Sequence, residues 1–186
     1  MDNSDLISGL DYVRSRLDIL DCINHYTRGM DRLDPDMANA AFHADAVLDY
    51  GVFVGNPAEF IEYFYDLHRR YHYSTNHMIC NHVCELDGDV AHTETYFAVA
   101  NNNQHAPPFG LGGGRYVDRF ERRDGRWAIA VRKCVGEWDA TPGIEFVEKL
   151  LEVFKQVGEI SRDRNDLSYQ RPSVVDSARL GTRIPI

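Results

Sequence analysis

The order of elements along the chain predicts an α+β domain: helices come first, and consecutive antiparallel strands then form a sheet that the helices cover on one face. Three observations lead there. Apolar residues recur at spacings of three and four from Asp11 to Leu33 and again after Asn56, which is the period of amphipathic helices. From Thr75 onward the pattern changes to alternation, the period of strands. Asp-Gly pairs at Asp87-Gly88 and Asp124-Gly125 interrupt the alternating runs, and Asp-Gly between such runs is a strong hairpin signal. A sheet of this kind curls, leaving a pocket between its concave face and the helices.

The first helix runs from Asp11 to about Leu33, with Val13, Leu17, Leu20, Ile23, Tyr26 and Met30 on its apolar side. Asp31 falls near its C-terminal end, where the helix dipole disfavours a negative charge. Pro35 suits the first turn of a short helix from Asp36 to Phe42, capped by Asp34, and Ala46 to Tyr50 reads as a short strand. Asn56-Pro57-Ala58-Glu59 is a helix start, and that helix reaches about Arg70 with Phe60, Phe64, Leu67 and Tyr71 inward. The strand Thr75 to Glu85 follows, then Val90 to Ala100, Arg115 to Arg123 and Arg126 to Trp138. A last helix spans Glu145 to about Val157. Residues 1–158 form the domain, and 159–186 a polar tail that wraps the surface or a neighbouring subunit.

The chain has 186 residues, 44% of them hydrophobic, enough for one domain with a sizeable core. A net charge of −9 with no basic stripe argues against nucleic acid as a partner. The N-terminal stretch lacks the charged and apolar regions of a signal peptide, and no apolar run is long enough to span a bilayer, so a cytoplasmic location is expected. Cys22, Cys80, Cys84 and Cys134 show neither metal spacing nor a disulfide framework, which fits reduced thiols. The run Trp127 to Val131 is apolar on both strand faces, so an outer surface covered by a neighbour is expected.

Simple alternation along Thr75 to Glu85 puts His77, Ile79, Asn81, Val83 and Glu85 on one face and Met78, Cys80, His82 and Cys84 on the other. His72, His77 and His82 recur every five residues, so without a bulge they cannot converge on one metal ion. The glycine run Gly110 to Gly114 lacks the helix and Lys-Ser/Thr of a phosphate loop and reads as a flexible loop over the pocket mouth. No neighbouring base for a cysteine nucleophile can be read from the spacing. A histidine paired with a carboxylate is what remains.

Arg28-Gly29-Met30-Asp31 at the first helix end, Thr75-x-His77 with Asn81 and Glu85, and Gly113 to Trp127 resemble the SnoaL-like branch of the nuclear transport factor 2-like superfamily. The similarity runs from about Asp11 to about Ala140 and is closest in pattern to lyases of the scytalone dehydratase and hexachlorocyclohexane dehydrochlorinase type. It implies a cone-shaped, cystatin-like α+β barrel with an Asp-His dyad and neither metal nor organic cofactor. Asp31 and His77 match the dyad, Tyr50 a substrate-polarising tyrosine, and Arg132 an arginine of some dehydrochlorinases. Tyr26 lies one turn before Asp31, and Tyr116 adds to the aromatic lining. The polar residues that line the scytalone pocket are replaced by ones such as Ala100, Gly114 and Tyr116, which points away from scytalone. The implied activity is elimination of water, halide or formaldehyde from a small aromatic or polycyclic hydroxylated substrate, by a homotrimer or homodimer. The alternatives are a polyketide cyclase or steroid isomerase, a non-catalytic small subunit of a ring-hydroxylating dioxygenase, and a small-ligand binding protein.

Overall fold

A computed structural model describes residues 3–140, 153–158 and 164–184. Helix α1 (Asn3–Arg32) starts earlier than its apolar period suggests. Only its later part packs inward, through Ser15, Ile19, Ile23, Tyr26, Thr27 and Met30. Val13 and Leu17, expected on the buried side, are 53% and 58% exposed because they lie on the side of the helix opposite Ser15 and Ile19, which face the sheet. The helix stops at Leu33, whose φ of +51° is left-handed, and the Asp34 N–H closes back on the Gly29 carbonyl at 2.9 Å. Gly29 is needed there: a Cβ would lie 2.6 Å from the backbone nitrogen of Ala38, so glycine lets the next helix fold against the end of α1.

That helix, α2 (Pro35–Asn39), has Asp34 as its cap, accepting from the Met37 N–H at 3.0 Å. It ends before Phe42 because the chain is already captured by the sheet, with the Ile129 N–H donating to the Ala41 carbonyl at 2.9 Å. Strand β1 (Phe42–Asp49) therefore begins earlier than expected and delivers Tyr50 just past its end. A short β2 (Val54–Gly55) leads to α3 (Pro57–Tyr71), capped by Asn56. Phe60, Ile61 and Tyr65 are the large buried residues of α3, while Tyr71 is 43% exposed, since β3 starts at the very next residue and turns it outward.

The long strands β3 (His72–Asp87), β4 (Val90–Asn103), β5 (Phe109–Arg123) and β6 (Arg126–Asp139) run antiparallel, with β1 parallel to β6. The sheet order is β2-β1-β6-β5-β4-β3. Both Asp-Gly turns form, with Gly88 and Gly125 at φ of +60° and +77°. The glycine run expected as a loop lies inside β5 instead, paired with β4 and with the end of β6. At Gly114 a Cβ would come within 1.8 Å of the Val135 carbonyl oxygen, beside a register shift between β5 and β6. Glycine there lets two strands approach and curl where any side chain would hold them apart.

The outer face of the sheet is covered from within. Val117 and Val135 pack with Phe154, Val157 and Leu167, so this part of the sheet is closed by later residues of the same chain, and Ala128, Ala130 and Val131 of the apolar run in β6 are buried as well. The tail continues along the sheet edge: the Thr182 carbonyl accepts from the Val54 N–H at 3.1 Å, the Ile184 N–H donates to the Val52 carbonyl at 3.0 Å, and Phe53 and Arg183 form an antiparallel bridge. Of the expected last helix, residues 153–154 are helical, and its earlier part, with Phe146, Leu150 and Leu151, lies outside the described residues.

Candidate active site

Asp31 and His77 meet at the end of α1. The His77 Nδ1 is 2.6 Å from Asp31 Oδ1, the His77 backbone N–H donates to Oδ2 at 2.9 Å, and the Thr75 hydroxyl donates to Oδ1 at 2.9 Å. Burial works to raise the Asp31 carboxyl, but the hydrogen bonds and charge of His77, with the Thr75 hydroxyl, outweigh it and hold the group below its ordinary range. The same contacts offset the unfavourable end of the helix dipole. An ionised Asp31 can only accept, so Nδ1 donates to it and the ring is held with Nε2 turned to the other side. Nε2 has no hydrogen-bond partner among the described residues. The His77 and Asp31 side chains are 10% and 8% exposed, sheltered yet reachable.

Deeper in the cone, the Tyr26 and Tyr50 hydroxyls are 2.8 Å apart. Tyr50 packs on Phe60 at 4.4 Å between centroids, and Tyr116 stacks on Phe97 at 4.3 Å. Burial pushes the Tyr26 phenol up to about 12 and those of Tyr50 and Tyr116 well above their ordinary value, so all three stay neutral donors. Arg132 is fully buried, held by Asp118 through Nε at 2.8 Å and Nη2 at 2.7 Å. Its guanidinium lies between the Tyr26 and Tyr116 rings, 4.4 and 4.1 Å from their centroids, with Nη1 unpartnered among the described residues. The structure thus gathers Tyr26, Tyr50, Tyr116 and Arg132 into one aromatic and cationic cluster, with Asp118 as the counter-charge that the spacing did not reveal.

The larger departure lies in β3. Ile79 pairs with Phe97 and His82 with Thr95, three residues advancing against two, so β3 carries one extra residue between them. Cys80 and Asn81 both turn outward, and the parity reverses. His82 and Cys84 therefore share the inner face with Thr75, His77 and Ile79, whereas simple alternation put His82 outside. His72 does not join the two: its Nδ1 lies 3.0 Å from His68 Nδ1. Burial pushes His68 down to about 3, with the nearby His72 and His77 adding to the effect, so it remains neutral beside the dyad. No group of three metal-ligating side chains occurs among the described residues. Two surface clefts, of about 420 and 630 Å³, include neither Asp31 nor His77, and their arginines are engaged: Arg14 by Asp18, Arg122 by Asp11 and Asp89, Arg126 by the Ala40 and Phe42 carbonyls.

A helix-covered curved sheet with an Asp-His pair inside it defines a class, the cone-shaped α+β proteins. The chain belongs to the SnoaL-like domain family, whose profile matches residues 11–133. Among solved structures it is similar to LinA, with a TM-score of 0.68 and 20% identity over 74% of this chain and 96% of that one. It is also similar to the hexachlorocyclohexane dehydrochlorinase LinA-type3 of Novosphingobium barchaimii, with a TM-score of 0.67 and 19% identity, covering 73% of this chain and 96% of that one. A third is a variant of Rv3472 of Mycobacterium tuberculosis, described as of unknown function, with a TM-score of 0.60 and 22% identity over 77% and 96% of the two chains. These likenesses establish the fold. No curated protein matches the sequence. No described helix is long and apolar enough to cross a membrane.

Proposed function

We propose that the protein is a cofactor-independent lyase in which His77 is the base and Asp31 its orienting partner. The observation that carries this is the dyad itself: a carboxylate holding three hydrogen bonds orients the imidazole through Nδ1 and leaves Nε2 without a partner among the described residues, on the face of the sheet that also carries Tyr116 and Phe97. Nε2 takes a proton from a carbon next to the leaving group, the C–H electron pair becomes the new π bond, and the C–O or C–halogen pair departs with the leaving group. For a hydroxyl, the same proton passes to the departing oxygen, water leaves, and the imidazole is regenerated. Tyr26 and Tyr50 act as neutral donors that polarise a substrate oxygen, Tyr116 shapes the apolar wall, and Arg132 fixes the phenols around it.

The substrate class is a small aromatic or polycyclic hydroxylated compound. Lyases among proteins of the same fold, such as the dehydrochlorinase of Novosphingobium barchaimii, support elimination over the isomerase and cyclase readings. Residues 1–158 are taken as the catalytic domain, 159–186 as its strap, with a cytoplasmic setting and a homodimer or homotrimer as the working assembly. The test is to incubate the purified chain with hydroxylated aromatic and steroid-like compounds and follow new conjugated absorbance. Turnover that wild type shows and His77→Ala lacks supports the reading; turnover kept by His77→Ala overturns it.

A further inference from the structure

The extra residue in β3 gives the cone a second polar group. His82 Nδ1 lies 2.9 Å from the hydroxyl of Thr95, but its Nε2 is buried and has no partner among the described residues. The Thr93 hydroxyl is likewise buried and unpartnered. Register places the two together on the inner face: His82 opposite Thr95, Thr95 opposite Tyr116, and Thr93 between Cys84 and Asp118. Leaving a buried donor or acceptor unmet is costly, so native proteins seldom keep two on neighbouring positions unless something else satisfies them. Thr93 sits in the row of the Asp118–Arg132 pair and His82 in the row beside it, and both share their face with His77.

We propose that His82 Nε2 and the Thr93 hydroxyl bind a second oxygen of the substrate, a hydroxyl or carbonyl at the end of the molecule away from the carbon that His77 deprotonates. The proposal rests on the cone being the substrate site, and not on which group is eliminated there. Four effective strand positions separate His77 from His82 once the bulge is discounted, about 13 Å along the backbone. A single ring does not bridge that span. Two or three linked or fused rings with oxygen at both ends do, and the wall between the histidines, Ile79, Phe97 and Tyr116, is apolar to match. Burial lowers the His82 imidazole below its ordinary value, so it meets the oxygen as a neutral partner, donating or accepting according to tautomer.

The test compares para,para-dihydroxybiphenyl with para-hydroxybiphenyl by calorimetry, with imidazole nitrogen resonances followed by NMR. Wild type is expected to bind the two-ended phenol about fivefold to tenfold tighter, the worth of one good buried hydrogen bond. The His82 resonance should move only with that probe. His82→Phe and Thr93→Val, which keep shape and remove the polar atoms, should each abolish the preference while holding the one-ended phenol within twofold. Equal binding of both probes by wild type, binding of neither, or a preference that survives in both variants overturns the proposal. His77→Ala separates the two ideas: loss of turnover with the preference retained supports both, whereas retained turnover removes the lyase assignment and leaves the second anchor standing.

Discussion

Two pairs in this cone each join a carboxylate to a basic side chain, and they differ in what they can do. Asp31–His77 sits at the end of α1 with both partners slightly exposed, and its basic member is an imidazole, the side-chain type suited to proton exchange. Asp118–Arg132 is sealed, each partner 0% exposed, and its guanidinium never gives its proton up. Both hold a carboxylate by two short contacts, so geometry alone does not separate chemistry from support. What separates them is access: the open pair keeps some exposure and a ring nitrogen with no partner among the described residues, while the closed one spends its faces on the Tyr26 and Tyr116 rings. The lesson is that a buried ion pair in such a cone is a scaffold until one member can exchange a proton with something in the cavity.

Breaking the open pair should cost rate. His77→Ala and Asp31→Asn are each expected to slow turnover by about 10²–10⁴-fold with little change in substrate affinity. The double variant should be no slower than the worse single one, because the two act as a unit. Steady-state kinetics on variants with wild-type circular dichroism checks this, and additive losses would show that the residues act separately. Breaking the closed pair should cost stability. Asp118→Asn leaves a buried guanidinium uncompensated, a loss of about 3–5 kcal/mol in urea unfolding, while Asp118→Leu with Arg132→Met together should recover most of it. If the double apolar variant stays stable but inactive, Arg132 has a role beyond support.

Acid sharpens the contrast. The folded Asp31 carboxyl is held below its ordinary 3.8, so its contribution is present above that value and is lost as the pH falls through the folded one. Asp31→Asn should remove that part of the acid transition. His68, pushed from 6.5 down to about 3 by burial, acts over a wider window: stability falls progressively as the pH drops from 6.5 toward 3, because the unfolded imidazole takes up a proton that the folded one refuses. Urea midpoints measured against pH should flatten across that window in His68→Gln. The smallest effect is expected at His72, which touches His68 and neither dyad member. His72→Asn should keep turnover within a few fold of wild type, and a larger loss would draw the His68–His72 pair into the reaction.

Most of the fold was legible because period and turn chemistry agree: 3.6-residue periodicity marked the helices, and Asp-Gly fixed two hairpins at Gly88 and Gly125. Asp31 and His77 were visible through their motif contexts, and the structure brings them together. The misses share a cause. His82 was assigned to the wrong face because a bulge leaves no composition signal, and parity after it depends on pairing with β4. Gly110 to Gly114 looked like a loop because glycine marks both flexibility and close approach, and only the Val135 carbonyl beside Gly114 decides which. Asp118 escaped notice since an arginine's partner across two strands is a matter of register. Phe42, expected in a helix, went to the strand because tertiary pairing with Ile129 outweighs a local preference.

The strap of residues 181–184 lies hydrogen-bonded along Val52 and Val54, a few residues beyond Tyr50, and Arg179 pairs with Asp49 just before it. A protease cut within the exposed stretch at Gln170–Pro172 would free those backbone groups at one stroke. The bared ladder of Val52 to Val54 would then be open to any passing strand, and clipped molecules would pair edge to edge into aggregates before their chemistry failed. The strap thus serves as edge protection for β2, a role for the residues after Gln170 that is separate from any part in the chemistry.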